Sequence, residues 1–260
     1  FAGAFIPGLM LVGLYICFMI YKAITEPESC PATPMTEEDR KGIVKDVVVA
    51  LVPPLLLILL VLGSILTGIA TPTEAGSVGA VGATILAALR WRLSFRVLRD
   101  AAMATATITS MIFIILFGAS VFSIVFRVMG GDNLVHEFLA NLPGGAIGAM
   151  IVVMLIMFVL GFILDTFEII FIIIPITAPI LLALGIDPIW LGVMVGVNLQ
   201  TSFLTPPFGF SLFYLRGVAP SRVTTGMIYR GALPFVGLQI LAIALLFIFP
   251  QLITWLPSVN

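Results

Sequence analysis

The sequence has 260 residues, 61% of them hydrophobic and 10% charged, with a formal net charge of -1. Soluble domains carry roughly 25% charged residues and about 45–50% apolar ones, so this chain has too little charge to cover its apolar mass in water. That balance excludes a soluble enzyme, gives no basic surface for nucleic acid, and leaves an all-α integral membrane protein, a polytopic helix bundle in a lipid bilayer. Cys17 lies in an apolar run and Cys30 in a polar loop, so neither a disulfide framework nor a metal site is indicated.

A helix needs about 20 apolar residues to cross the hydrocarbon core. Phe1 to Ala23 qualifies. The run is too long for a signal peptide and lacks a basic leader, so an upstream portion is expected. A polar loop over 25–46 follows, with Pro27, Pro31, Pro34 and a mixed charge run at Glu37, Glu38, Asp39, Arg40 and Lys41. Val47 to Thr67 reads as a second span, bent at Pro53-Pro54. A turn at Thr71-Pro72-Thr73-Glu74 leads into a third span, Ala75 to Leu89, whose Gly79/Ala83 and Gly76/Ala80 pairs allow close helix packing. Arg90, Arg92, Arg96 and Arg99 mark a basic amphipathic stretch before a fourth span, Ala101 to Phe126. Arg127 to Gly145 reads as a polar connection, with the lone His136 at the membrane surface.

From Gly145 to Leu184 the chain is apolar, interrupted by Asp165-Thr166, Glu168, Pro175 and Pro179. Ile189 to Leu204 is apolar but contains Asn198, Gln200, Thr201 and Ser202. Thr205-Pro206-Pro207-Phe208-Gly209 and a second piece to Val218 come next, and the last span covers Ala232 to Ile253. Lys and Arg favour the cytoplasmic side. Lys22, Arg40, Lys41 and Lys45 share one side with the four arginines at 90 to 99. A hairpin over 145–184 that enters and leaves on the outer side brings Arg216, Arg222 and Arg230 to the cytoplasm as well. This topology places Glu74 and the C-terminus outside.

Asp165 and Glu168 carry a cost at bilayer depth unless paired, protonated or beside a cation or water. A re-entrant hairpin with its tip at about Gly161 to Phe167 accounts for them. Its first arm ends in open carbonyls that suit a cation, and its second starts in N–H groups that suit an anion. Asp165 or Thr166 is a candidate N-cap. Pro206 and Pro207 remove two donors and break the following helix, releasing the carbonyls of Ser202 and Phe203. With Thr205 and the Asn198 and Gln200 amides, these offer hard oxygen ligands for an ion such as sodium, and Gly209 permits close backbone approach. The candidate ion- and substrate-binding set is Gly161, Asp165, Thr166, Asn198, Ser202, Thr205, Pro206, Pro207 and Gly209. Sodium would lie among Asp165, Thr166, Ser202 and Thr205. Thr71 to Glu74 reads as a capping box with Pro72 at the first helical position, or as part of a substrate path or docking surface. A rival reading takes Asp165 and Glu168, three residues apart on one helix, as the acid pair of an intramembrane enzyme.

Four stretches carry a resemblance: Gly68 to Ala75, Leu160 to Asp165 followed by Pro175 and Pro179, Gly185 to Gly192, and Asn198 to Gly209. In order and spacing they resemble the large membrane subunit, DctM type, of TRAP (tripartite ATP-independent periplasmic) transporters, along the whole chain. Phe208 stands where many members carry a smaller residue. The resemblance implies one inverted repeat of an elevator-type carrier, here the C-terminal half, with the N-terminal repeat upstream. It implies scaffold helices over 1–100, an arm and outer-side loop over 101–145, a transport-domain hairpin and broken helix over 146–219, and a last transmembrane helix over 220–260. It also implies a bacterial inner membrane, a sodium ion as coupling ion with no other cofactor, a small membrane subunit and a periplasmic solute-binding protein. Organic acid anions such as dicarboxylates or sialic acids would be the cargo. A stand-alone carboxylate carrier of related fold is the nearest alternative.

Overall fold

The computed structural model describes residues 1–29, 37–206, 209–220 and 222–259. Among these the regular structure is helical: α1 Ala2–Thr25, α2 Glu37–Leu66, α3 Pro72–Leu89, α4 Phe95–Val128, α5 Gly131–Ala140, α6 Gly145–Leu160, α7 Thr166–Glu168, α8 Ile174–Ala183, α9 Pro188–Leu204, α10 Phe210–Val218, α11 Thr225–Ile248 and α12 Gln251–Val259. A 3-10 turn lies at Pro27–Ser29, and a π-helical turn at Ile169–Ile173 joins α7 to α8. Among the described residues, five helices are long and apolar enough to cross a membrane. The window within Lys45–Leu66 has a mean hydropathy of 2.8, and none of it is buried by protein. So bare an apolar surface is stable against lipid tails and not against water. The chain is an all-α polytopic membrane protein.

Internal contacts divide the chain into two compact units, one of Phe1 with Lys22–Ile108, the other of Ala2–Tyr21 with Thr109–Asn260. In the first unit α3 packs on α2 through glycines. A Cβ on Gly79 would touch Val61, and one on Gly82 would overlap Leu57, whereas Gly76 has open space beside it. The expected Gly76/Ala80 pair is thus not the close contact; that role falls to Gly79 and Gly82. Pro53 and Pro54 sit inside a continuous α2. Pro53 has no N–H to offer the Val49 carbonyl four residues back, and the Arg90 guanidinium donates to that carbonyl instead. With Glu74 and many small side chains, α3 is not apolar enough to be among the five.

Several boundaries differ from those the sequence suggests. The 25–46 loop is shortened because α2 starts at Glu37. Cys30, Pro31 and Pro34 lie outside the described residues. Arg96 and Arg99 belong to the same 34-residue helix as the fourth span. The 127–145 connection contains α5, whose Leu139 is buried and whose start is tied to α4 by an Arg127–Asp132 pair at 3.3 Å; His136 is exposed. The last span starts at Thr225, where the Thr224 hydroxyl caps it by accepting from the Met227 N–H. It ends at Ile248, before Pro250, and α12 follows separately.

In the second unit α9 is the central element, and it packs against α6, α10, α11 and α12. Its start is built by Asp187, whose carboxylate accepts from the Trp190 N–H at 2.8 Å, with Pro188 in the first turn. Gly185, at φ 93, supplies the left-handed residue that ends α8. The Trp190 indole donates to the Leu246 carbonyl of α11 at 3.1 Å, and the Asn198 amide donates to the Met154 carbonyl of α6 at 2.8 Å. Met150, Val153, Met157, Ile169, Leu181 and Met194 fill the core around α9. A polar bond costs little to keep here and much to lose, because no water replaces it.

Candidate functional site

Two interruptions in the second unit form the candidate site. The first is the turn between α6 and α7. Helix α6 ends at Leu160, and the chain tightens through Gly161 N–H to Met157, Phe162 N–H to Val159 and Leu164 N–H to Leu160. The carbonyls of Met157, Val159 and Leu160, expected to be open at the end of the first arm, are therefore occupied by the turn itself. The second arm starts on Asp165, whose Oδ1 accepts from the Thr166 N–H at 2.7 Å. Glu168 reaches back to accept from the Asp165 N–H at 3.2 Å, which closes a reciprocal capping box. Asp165 is thus the N-cap. Glu168 is its partner, a role that the Asp165-Thr-Phe-Glu168 spacing carried and that the acid-pair reading overlooked.

Pro175 and Pro179 do not break this arm. The π turn just upstream, with the Ile174 N–H donating to Ile169, widens the helix where Pro175 offers no donor, and Pro179 sits within α8. The helical run is interrupted at residues 161–165 and again at 184–187.

The second interruption is the break between α9 and α10. Helix α9 ends at Leu204 because Pro206 cannot donate to Ser202. The Ser202 carbonyl is not left open as expected: the last turn tightens, and the Thr205 N–H donates to it at 3.1 Å. The Thr205 hydroxyl donates to the Thr201 carbonyl and the Ser202 hydroxyl to that of Leu199, each at 2.8 Å. Both hydroxyl oxygens keep lone pairs for a further partner. Gly209 opens α10. A Cβ there would lie 2.5 Å from the Phe203 carbonyl oxygen and 3.0 Å from that of Thr205, so only glycine fits. Pro207 and Phe208 lie outside the described residues.

The two interruptions meet at one point. A Cβ on Gly161 would overlap the Ser202 hydroxyl oxygen and lie 2.7 Å from Ser202 Cβ, so the hairpin tip rests directly on the last turn of α9. Of the sequence-derived set, Gly161 and Ser202 are in direct apposition. Asp165 and Thr166 serve the start of their own arm, and Thr205 and Gly209 shape the break. Asn198 is 3% exposed and acts as a strut to α6, while Gln200 is exposed. The Thr71 box belongs to the first unit and is formed: Glu74 accepts from the Thr71 N–H at 2.8 Å and from its hydroxyl at 2.7 Å, with Pro72 and Thr73 in the first turn of α3. Backbone hydrogen bonding from Thr71 holds the Glu74 carboxyl below its ordinary value. Sequence reading passed over Gln239, a single amide in the apolar helix α11 that is 2% exposed. Its signal was visible: a polar side chain in mid-span seldom lacks a purpose.

Residues 1–252 match the family described as tripartite ATP-independent periplasmic transporter, DctM component. The chain is 30% identical to the C4-dicarboxylate TRAP transporter large permease protein DctM of Vibrio cholerae, covering 99% of this chain and 60% of that protein. It is 28% identical to the sialic acid TRAP transporter permease protein SiaT of Haemophilus influenzae, over 99% of this chain and 41% of that one. With the ectoine TRAP transporter large permease protein TeaC of Halomonas elongata it shares 26% identity over 96% of this chain and 57% of the other. The chain therefore spans between two fifths and three fifths of the length of these relatives.

Proposed function

This chain belongs to the DctM family of tripartite ATP-independent periplasmic transporters, and on that footing we propose that it is part of an inner-membrane permease for organic acid anions. The transport is secondary and sodium-coupled, and it depends on a periplasmic solute-binding protein and a small membrane subunit. The rest of the permease supplies the other inverted repeat. Relatives named for C4-dicarboxylate and for sialic acid handle carboxylate solutes, which supports a carboxylate as the recognised group.

One observation carries the reading: the α6–α7 tip seats on the break of α9, with Gly161 against Ser202. Transporters gather coupling ions and substrate at such discontinuous helices. Sodium would take oxygens from Asp165, Thr166, Ser202 and Thr205, whose hard, uncharged or singly charged donors suit it. The solute carboxylate would face N–H groups at the helix starts and nearby hydroxyls. The first arm, at 16 residues or about 24 Å at 1.5 Å per residue, is short for a full crossing, which supports a re-entrant hairpin. In this reading the hairpin and broken helix move together as the transport domain of an elevator. Engagement of both Asp165 and Glu168 in one capping box favours the carrier over an acid-pair enzyme.

Thermal unfolding of the complete detergent-purified permease tests the sodium site. Sodium at about 100 times its dissociation constant should stabilise the protein by about 2.7 kcal/mol over potassium at equal ionic strength. Thr205→Ala should abolish that difference. Equal melting in both salts would sink the sodium assignment.

A further inference from the structure

Within the second unit, an open cleft of about 610 Å³ lies among α1, α9, α10 and α11. It adjoins the helix break, since Leu204 on one side and Ser211 and Leu212 on the other line it. Its size falls in the range of small-molecule sites. The walls are apolar, and four uncharged polar side chains reach the cleft: Tyr15, Gln200, Ser211 and Gln239. Among the described residues no acidic or basic side chain lines it.

Gln239 is the telling member. It is 2% exposed, and its side chain is hydrogen-bonded to Tyr15. Tyr15 is fixed by an edge contact with Phe235 at 5.2 Å between ring centres. The Gln239 Oε1 has no hydrogen-bond partner among the described residues. A buried carbonyl oxygen without a donor is costly, and such orphans point to a missing ligand. Because Oε1 can only accept, the missing group is an N–H or O–H donor. A carboxylate is the wrong chemistry for this cleft, which offers it no cation, while a hydroxylated carbon chain suits both the polar groups and the apolar walls.

We propose that this cleft binds the hydroxyl-bearing part of the carried organic acid, with Gln239 Oε1 accepting from a solute hydroxyl and Tyr15, Gln200 and Ser211 completing the polar rim. The proposal rests on the organic-acid reading above. It divides the labour: the hairpin tip and helix break take the carboxylate and the ion, and the cleft reads the rest of the solute.

The test measures uptake by the complete permease, with its small subunit and binding protein, of matched acids differing by one hydroxyl: succinate against malate, and ectoine against hydroxyectoine. The same binding protein serves wild type and variant, so a change in the uptake ratio reports on the permease alone. Gln239→Leu should lower the ratio of hydroxylated to unsubstituted acid roughly 2- to 10-fold, the worth of one hydrogen bond. Gln200→Ala and Ser211→Ala, at exposed positions that tolerate truncation, should lower it in the same direction, and they decide the matter if Gln239→Leu fails to assemble. An unchanged ratio in the variants that assemble, with uptake intact, overturns the proposal and leaves a bound water as the partner of Oε1. If wild type carries no organic acid at all, the organic-acid reading itself fails and takes this one with it.

Discussion

A methyl group at Gly161 has no room. The added carbon would overlap the Ser202 hydroxyl oxygen and lie 2.7 Å from Ser202 Cβ. Rotation of Ser202 can move its oxygen but not its Cβ, so the tip or the last turn of α9 must shift. Overpacking of this kind costs about 1–3 kcal/mol, and Gly161→Ala should destabilise the permease by that amount. Ser202→Gly removes both obstructing atoms. On its own it costs about 0.5 kcal/mol in helix propensity, since serine is already a poorer helix former than alanine, besides the bond from its hydroxyl to Leu199. In the double variant the clash is gone, so the two costs should fall short of their sum by about 1–2 kcal/mol. Chemical unfolding of the four proteins in detergent gives the coupling energy, and uptake into proteoliposomes shows whether function follows. Additive costs, or a harmless Gly161→Ala, would refute the apposition of tip and break.

Three further outcomes are expected. Asp165→Asn keeps an N-cap of equal quality and should leave stability unchanged, whereas Asp165→Ala should cost about 1 kcal/mol; if the charge also serves the ion, Asp165→Asn should raise the sodium concentration for half-maximal uptake about tenfold or more. The depressed Glu74 carboxyl means that the Thr71 box is fully formed above the unfolded carboxylate value of about 4.3 and is lost as pH falls through the lower folded value; hydrogen exchange at the Glu74 and Ala75 amides should speed up across that step, and Glu74→Gln should remove it. Arg90→Ala should cost about 1 kcal/mol in wild type but little in a Pro53→Ala background, where the new alanine N–H can satisfy the Val49 carbonyl, as unfolding of both pairs would show.

Local devices were legible in the sequence because they depend on neighbours within a turn. The box at Thr71, the cap at Asp165 and the break before Pro206 all appear where residue type alone places them. What a carbonyl does at a break was less legible. Pro206 does free Ser202 from its usual donor, but a one-residue tightening lets Thr205 replace it, and no pattern of residue types distinguishes the two endings. Facing was not legible either. Gly76, Gly79 and Gly82 look alike in a row of small residues, and only packing decides that Gly79 and Gly82 meet α2. In an apolar chain the helix periodicity that marks a core face in soluble proteins is absent, since lipid and core are equally apolar. Gln239 was passed over for that reason, its helix reading as plain membrane span. Asn198 was seen, but its direction was not: it points to α6.

Proteoliposomes holding the complete permease and its small subunit, loaded in the presence or absence of the periplasmic protein and under an inward sodium or proton gradient, test in one experiment the proposed binding-protein-dependent, sodium-coupled carriage of organic acids through a permease that contains this chain. Uptake is expected only with the periplasmic protein and the sodium gradient together. Uptake that ignores the periplasmic protein, or that follows the proton gradient alone, would contradict it.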